Sequence, residues 1–188
     1  MTHISPDDVL SALRMRLRIR VFESLRDDGP NRLERFYRLA KEEFPSLCDD
    51  QNPCTCGTEE PRWQHSVRWV LEDLRSRGHA FNSANGRPWT YVDHSVIVMD
   101  RVRIDVREGL QFQVKKSGKV GLHVETQNKI VWLDEGDLLE LGNARPREAF
   151  RPPSPLPSVS YLARVLRSDG YGPEGWVSKK QLMASTVR

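Results

Sequence analysis

Residues 60–93, EPRWQHSVRWVLEDLRSRGHAFNSANGRPWTYVD, constrain the fold more than any other stretch of this chain. Trp63, Val67, Val70, Leu71 and Leu74 recur at the spacing that stacks them on one face of a helix. Glu59 and Glu60, ahead of Pro61, suit a first helical turn. Acidic groups there meet the positive end of the dipole, and the N–H that proline lacks costs nothing. Gly78 ends the helix, because a residue without a β-carbon accepts the left-handed cap. Beyond Gly78 the chain reads as strand, turn and strand. Residues 79–82 lead into Ser83-Ala84-Asn85-Gly86, a strong hairpin signal, and Trp89-Thr90-Tyr91-Val92 return.

A helix followed by a β-hairpin is the back half of a winged helix-turn-helix, and the preceding residues can supply the front half. Ser5-Pro6-Asp7-Asp8 is a compact helix start, with Ser5 as cap. Val9, Leu10, Leu13, Leu17, Val21 and Leu25 then recur at helical spacing as far as Arg26. Arg14, Arg16, Arg18 and Arg20 alternate with Met15, Leu17 and Ile19, which taken alone would suit a strand. The longer helical pattern and the helix propensity of Arg and Met decide for a helix. Those arginines are either a solvated, ion-paired face or phosphate contacts. Asp27-Asp28-Gly29-Pro30 is a turn, and a second helix over residues 31–44 buries Leu33, Phe36, Tyr37 and Leu39 or Ala40 before Pro45 stops it.

The pattern Pro61-x-Trp63-x3-Val67-Arg68-Trp69-x-Leu71-x-Asp73-Leu74-x3-Gly78, followed by Trp89-Thr90 after the hairpin, resembles the N-terminal winged-helix domain of Mrr-type restriction proteins. That family joins a DNA-binding winged helix to a separate effector, commonly a nuclease. The resemblance implies a duplex-DNA reader in a restriction or defence system, and the winged-helix fold alone admits a transcriptional regulator. The chain departs from the family pattern at the wing, where Arg87-Pro88 separates Gly86 from Trp89.

On the third helix Gln64, His65, Arg68, Glu72 and Arg75 lie away from the apolar stripe. A major groove accepts such a helix, and Arg and Gln can each make paired hydrogen bonds to purine edges. Gln64, Arg68 and Arg75, with Arg87 on the wing, are therefore the candidate DNA contacts, against the alternative of a solvated polar face. Trp69, nearly opposite the stripe, is expected to be covered by the N-terminal helices or another domain. All three cysteines fall in Cys48-Asp-Asp-Gln-Asn-Pro-Cys54-Thr-Cys56-Gly57, with His65 shortly after. Cys48, Cys54, Cys56 and His65 are the ligands of a possible structural zinc site. The irregular spacing lacks the paired CxxC knuckles of familiar zinc sites, so free thiols in a loop remain the alternative.

From residue 95 the texture changes. Residues 96–99, 102–106, 110–114, 120–124 and 129–133 read as short strands, with turns at Glu108-Gly109, Ser117-Gly118 and Gln127-Asn128. Arg151-Pro152-Pro153-Ser154-Pro155-Leu156-Pro157 reads as a stiff linker. Residues 158–167, with Tyr161, Leu162, Val165 and Leu166 together, read as a helix, 170–175 as a loop and 176–183 as a last short helix. The expected fold is thus α+β: a winged helix-turn-helix over 1–95, a small antiparallel β module over 96–145, and a Pro-rich linker with a short helical tail over 146–188.

The formal charge of +3 is too mild to argue for nucleic acid by itself. Residues 1–95 hold 14 basic and 15 acidic residues and the remainder 15 and 11, so a DNA contact in the first part needs a local stripe. Apolar runs are short and broken by charge, which excludes a membrane span, and three cysteines without a secretory leader point to a reducing cytoplasm. Asp105 and Gln113-Val114-Lys115, placed across an expected hairpin, echo the acid and Gln-x-Lys of an Mrr-type nuclease. A second carboxylate in register and a glycine-rich approach are missing, so nuclease activity is the minor alternative. Duplex DNA is the expected partner, with an effector protein or a second copy of the chain beside it. A winged helix serving as a protein–protein adaptor is the reading from another functional class.

Overall fold

The computed structural model describes residues 6–56, 59–150 and 156–188. It divides into two units, one ending at Tyr91 and the other running from Val92 to Arg188. Together they make a mixed α+β protein whose sheets are antiparallel.

In the first unit α1 (Pro6–Asp28), α2 (Leu33–Glu43) and α3 (Arg62–Ser76) precede a hairpin of β1 (Ala80–Phe81) and β2 (Thr90–Tyr91). The helical spacing of the apolar residues sets the core. Leu13, Leu17 and Val21 of α1 and Val67, Val70, Leu71 and Leu74 of α3 are fully buried, with Trp63 almost so. Each such side chain contributes about 1.5–3 kcal/mol by leaving water. Gly78 closes α3 at φ +77°, and the His79 amide donates back to the Leu74 carbonyl at 2.9 Å. That is the 6→1 bond of a Schellman cap, which glycine reaches without a steric penalty. In the hairpin Ala80 faces Tyr91 and Phe81 faces Thr90, and Asn31 exchanges two backbone hydrogen bonds with Trp89. The α1–α2 connection therefore adds a one-residue third strand beside the hairpin.

The second unit opens with the hairpin of β3 (Val96–Met99) and β4 (Val102–Asp105). Asp100 and Arg101 both take positive φ between them, the geometry of a two-residue type I′ turn. The remaining strands are β5 (Gln111–Gln113), β6 (Gly121–Val124), β7 (Lys129–Trp132), β8 (Leu138–Phe150), β9 (Pro157–Arg167), β10 (Gly170–Ser178) and, after α4 (Lys179–Leu182), β11 (Thr186–Val187). They form one seven-stranded sheet in the order β11-β5-β8-β9-β10-β6-β7. Alternation puts Val159, Tyr161, Ala163 and Val165 of β9 on the inner face with Phe112, Leu122, Leu139 and Val177. Asp93 and His94 belong to this unit. The Lys179 ammonium donates to the Asp93 carbonyl at 2.7 Å and the Tyr161 hydroxyl to the His94 carbonyl at 2.7 Å.

Several expectations need correction. The helical tail of 146–188 is a strand pair: β9 and β10 are the centre of the sheet, and among the described residues of this range only Lys179–Leu182 is helical. Tyr161-Leu162 and Val165-Leu166 fit a helical face, yet the residues that are buried alternate with period two. The boundary at 145 falls away too, since β8 crosses it and residues 92–188 are one unit, while the division expected at 95 lies between Tyr91 and Val92. The linker Arg151-Pro152-Pro153-Ser154-Pro155 and the Ser5 cap lie outside the described residues. Among the described residues no helix is long and apolar enough to cross a membrane.

Candidate functional site

The outward face of α3 carries the residues that the sequence put forward for DNA. Burying Trp63, Ser66, Val67, Val70, Leu71 and Leu74 leaves Gln64, His65, Arg68, Trp69, Glu72 and Arg75 on the other side. Their charges are partly spoken for. Arg68 is ion-paired with Glu60, Arg75 lies 3.0 Å from Glu72 and reaches toward Asn82, and Arg18 and Arg77 share Asp73 at 2.8 and 3.0 Å. Exposed pairs of this kind are worth about 0–1 kcal/mol, so a stronger anion can displace them. Gln64 lines a shallow groove with Tyr37, Arg38 and Lys41. Arg87 stands exposed in the turn between β1 and β2, with no ion pair among the described residues. Gly86 at φ +75° and the Arg87 amide donating to Ala84 O at 3.1 Å shape that turn.

Trp69 remains 40% exposed, with the guanidinium carbons of Arg14 and Arg18 at 4.9 and 5.5 Å from its ring centroid. The expected cover from the N-terminal helices is thus two cations on the indole and not an apolar lid. Arg20 pairs with Glu43 and Glu23, and Arg14 also donates toward Ser66 at 3.4 Å. Of the alternating arginines of α1, Arg14, Arg18 and Arg20 therefore serve ion pairs or cation–π contacts, and Arg16 is exposed.

The cysteine segment folds back on itself. The Cys54 amide donates to Glu60 O and the Arg62 amide to Asn52 O, both at 2.9 Å, which brings the loop tip against the first turn of α3. Cys54, Cys56 and His65 offer ligand atoms within 4.8 Å of one another, so a possible metal-binding group of three is present. Cys56 Sγ lies 3.6 Å from His65 Nδ1, the separation two donors take on a tetrahedral zinc ion with bonds of about 2.3 and 2.0 Å. The Cys54 and Cys56 sulfurs sit at disulfide distance, so a metal would need that pair reduced and spread. Cys48 is not in this group. It is buried with its thiol against the Ala40 carbonyl at 3.5 Å, and burial pushes its pKa up to about 11. A thiol that resists ionising there is a poor zinc ligand. Gly57 lies outside the described residues.

The nuclease pair does not assemble as expected. Asp105 ends β4, which pairs with β3, whereas Gln113 is on β5, which pairs with β8 and β11. They are in different sheets and not across one hairpin. Lys115 lies 3.5 Å from Asp100 instead.

Sequence reasoning missed a third place altogether. On the outer face of the large sheet, β6, β7, β9, β10 and α4 line a cleft of about 640 Å³. Trp176 lies opposite His123, and Gly121 opposite Trp132, so the walls come from neighbouring strands. Trp132 is 58% exposed and Ile130 54%. Both faces of β7 are apolar, because Val131 and Leu133 point inward, so the local pattern carries no signal that Trp132 faces water. Compared with known protein families, curated proteins and solved structures, the chain finds no match.

Proposed function

We propose that the chain is a DNA-binding protein whose first unit is a winged helix-turn-helix that reads duplex DNA with α3 and the hairpin. One observation carries this reading: α3 buries one whole side and presents Gln64, Arg68 and Arg75 on the other, beside a hairpin that ends in exposed Arg87. In such a docking α3 enters the major groove, and the guanidinium of Arg68 leaves Glu60 for a guanine edge or a phosphate. The resemblance to Mrr-type recognition domains favours a restriction or defence role over general regulation. Arg68→Ala and Gln64→Ala are expected to weaken duplex binding by about 1–3 kcal/mol each while the fold is kept. Affinity equal to the parent protein across a salt series would remove α3 as the reader.

A second reading, a protein–protein adaptor, has its own observation: Trp69 stands partly exposed on α3, and Met15 and Ile19 are exposed on α1. An effector or a second copy docking there would bury apolar surface, so its affinity would change little with salt. Duplex binding through phosphates falls steeply with salt. The same titration therefore separates the two.

The three donors Cys54, Cys56 and His65 further support a structural zinc ion, held in a reducing compartment such as the cytoplasm, that shapes the approach to α3. Protein purified under reducing conditions without chelator is expected to contain about one zinc per chain, lost on oxidation of Cys54 and Cys56. Metal-free protein whose melting is indifferent to EDTA would leave these side chains as a thiol pair and a surface histidine.

A further inference from the structure

The cleft on the outer face of the large sheet is built from parts that suit one kind of ligand. Gly121 has no side chain to offer, and the six-membered ring of Trp132 reaches over it from the next strand. A β-carbon at Gly121 would stand 3.1 Å from Trp132 Cζ3 and 2.9 Å from Ile130 Cγ2. An aromatic ring covering a cross-strand glycine in this way has its underside fixed by the backbone. The rest of a ring that is 58% exposed is left as a flat, pre-positioned platform. Trp176, by contrast, is held in place: Arg147 lies 5.6 Å from its ring centroid and is itself ion-paired with Glu125.

Charge and hydrogen-bonding groups narrow the choice further. Lys129 and Lys180 line the cleft and no carboxylate does. Neither lysine has an ion-pair partner among the described residues. Ser158 and Ser160 present hydroxyls on the same face. The Gln181 amide oxygen is taken by Ser178, which leaves the Gln181 amide nitrogen as a donor. A neutral sugar would leave both ammonium groups without use, a methylated ammonium would be repelled by them, and an acidic peptide would leave the indole without a flat partner. A heterocyclic base joined to a phosphate uses every part: the ring stacks on Trp132, polar edges meet the serines and Gln181, and the phosphate meets the lysines.

We propose that this cleft binds an unpaired nucleobase together with its phosphate, presented by single-stranded nucleic acid or by a free nucleotide. The site lies wholly in residues 92–188 and does not depend on duplex reading by α3.

The test uses the full chain and a fluorescein-labelled oligothymidylate, with anisotropy read over a salt series. Trp132→Ala, at an exposed position, is expected to keep the circular dichroism of the parent and to weaken binding about ten-fold or more, as loss of one stacked base does. Lys129→Gln and Lys180→Gln are each expected to lower the slope of log affinity against log salt by about 0.7. Trp132→Ala is expected to leave duplex binding unchanged, so failure here and failure of the duplex reading are told apart. Displacement of the oligonucleotide by thymidine monophosphate identifies free nucleotides as a source, and displacement by oligonucleotides alone identifies a strand. No measurable binding, parental affinity in Trp132→Ala, or full displacement by a polyglutamate peptide overturns the proposal.

Discussion

Lys179 is 1% exposed, in the first position of α4, and a charge so buried must be answered by its surroundings. Burial pushes its pKa down to about 8, the Asp93 carboxylate pulls it back up, and Arg103 adds to the depression. Its hydrogen bond to the Asp93 carbonyl survives loss of the proton, since a neutral amine still donates. Below pH 8 the lysine is protonated in both folded and unfolded chains. Above it the folded chain has released a proton that the unfolded chain holds up to its ordinary value near 10.5, so this group's contribution to stability rises with pH. Between pH 8 and 9.5 the rise amounts to about 2 kcal/mol, at 1.36 kcal/mol per unit. Tyr161 works in the opposite sense at higher pH, because burial raises its pKa, so the comparison stops at 9.5. Urea unfolding of the parent and of Lys179→Met at pH 7, 8, 9 and 9.5 is expected to show the parent gaining on the variant across that window. A difference that stays constant would mean that Lys179 does not titrate there.

How well each element was legible depended on whether its pattern had one solution. The stripe on α3 had one: Trp63, Val67, Val70, Leu71 and Leu74 are all buried. The strands β3 to β7 were legible because turns bracket them, with Gly109, Gly118 and Asn128 all at positive φ. β9 had two solutions. Val159, Tyr161, Ala163 and Val165 alternate, but Leu162 and Leu166 fill the other parity and complete a helical face as well. Only the partners on each side, β8 and β10, decide between them, and residues 170–175 of β10 read as a loop. The glycines of β10 hid a strand whose register shifts by one residue between Tyr171 and Glu174. The cleft was illegible for the same reason, since it joins residues from Gly121 to Gln181. Ala163→Pro tests the strand directly. Ala163 is fully buried and pairs with Leu141 on one side and Gly175 on the other. Proline there removes a ladder hydrogen bond and overpacks the inner face, so a loss of about 3 kcal/mol or more is expected. Thermal unfolding followed by the loss of strand signal in circular dichroism reads it out. A helix attached by a linker would instead lose only its own surface turn.

Each of the two units has a core of its own, and their charges differ: 14 basic and 14 acidic residues up to Tyr91, against 15 and 12 from Val92 onward. A neutral unit that reads duplex DNA must do so with a few well-placed groups, so its affinity depends on the α3 face and the wing more than on net field. On the proposed reading the positive unit would add the sequence-independent part, because each phosphate neutralised releases counterions. The two contributions separate in a comparison of residues 1–91 with the whole chain on one duplex. The fragment is expected to fold, since Leu13, Leu17, Phe36, Val67 and Leu71 are buried by partners within it. It is expected to keep its sensitivity to Arg68→Ala. The whole chain is expected to bind more tightly at low salt, with a log–log salt slope steeper by about 0.9 for each further phosphate contact. Matching slopes and affinities would show that the second unit adds nothing on duplex DNA, and its lysines would then be left to the cleft. A fragment that folds but binds nothing, beside a whole chain that binds, would move the duplex contact off α3 altogether.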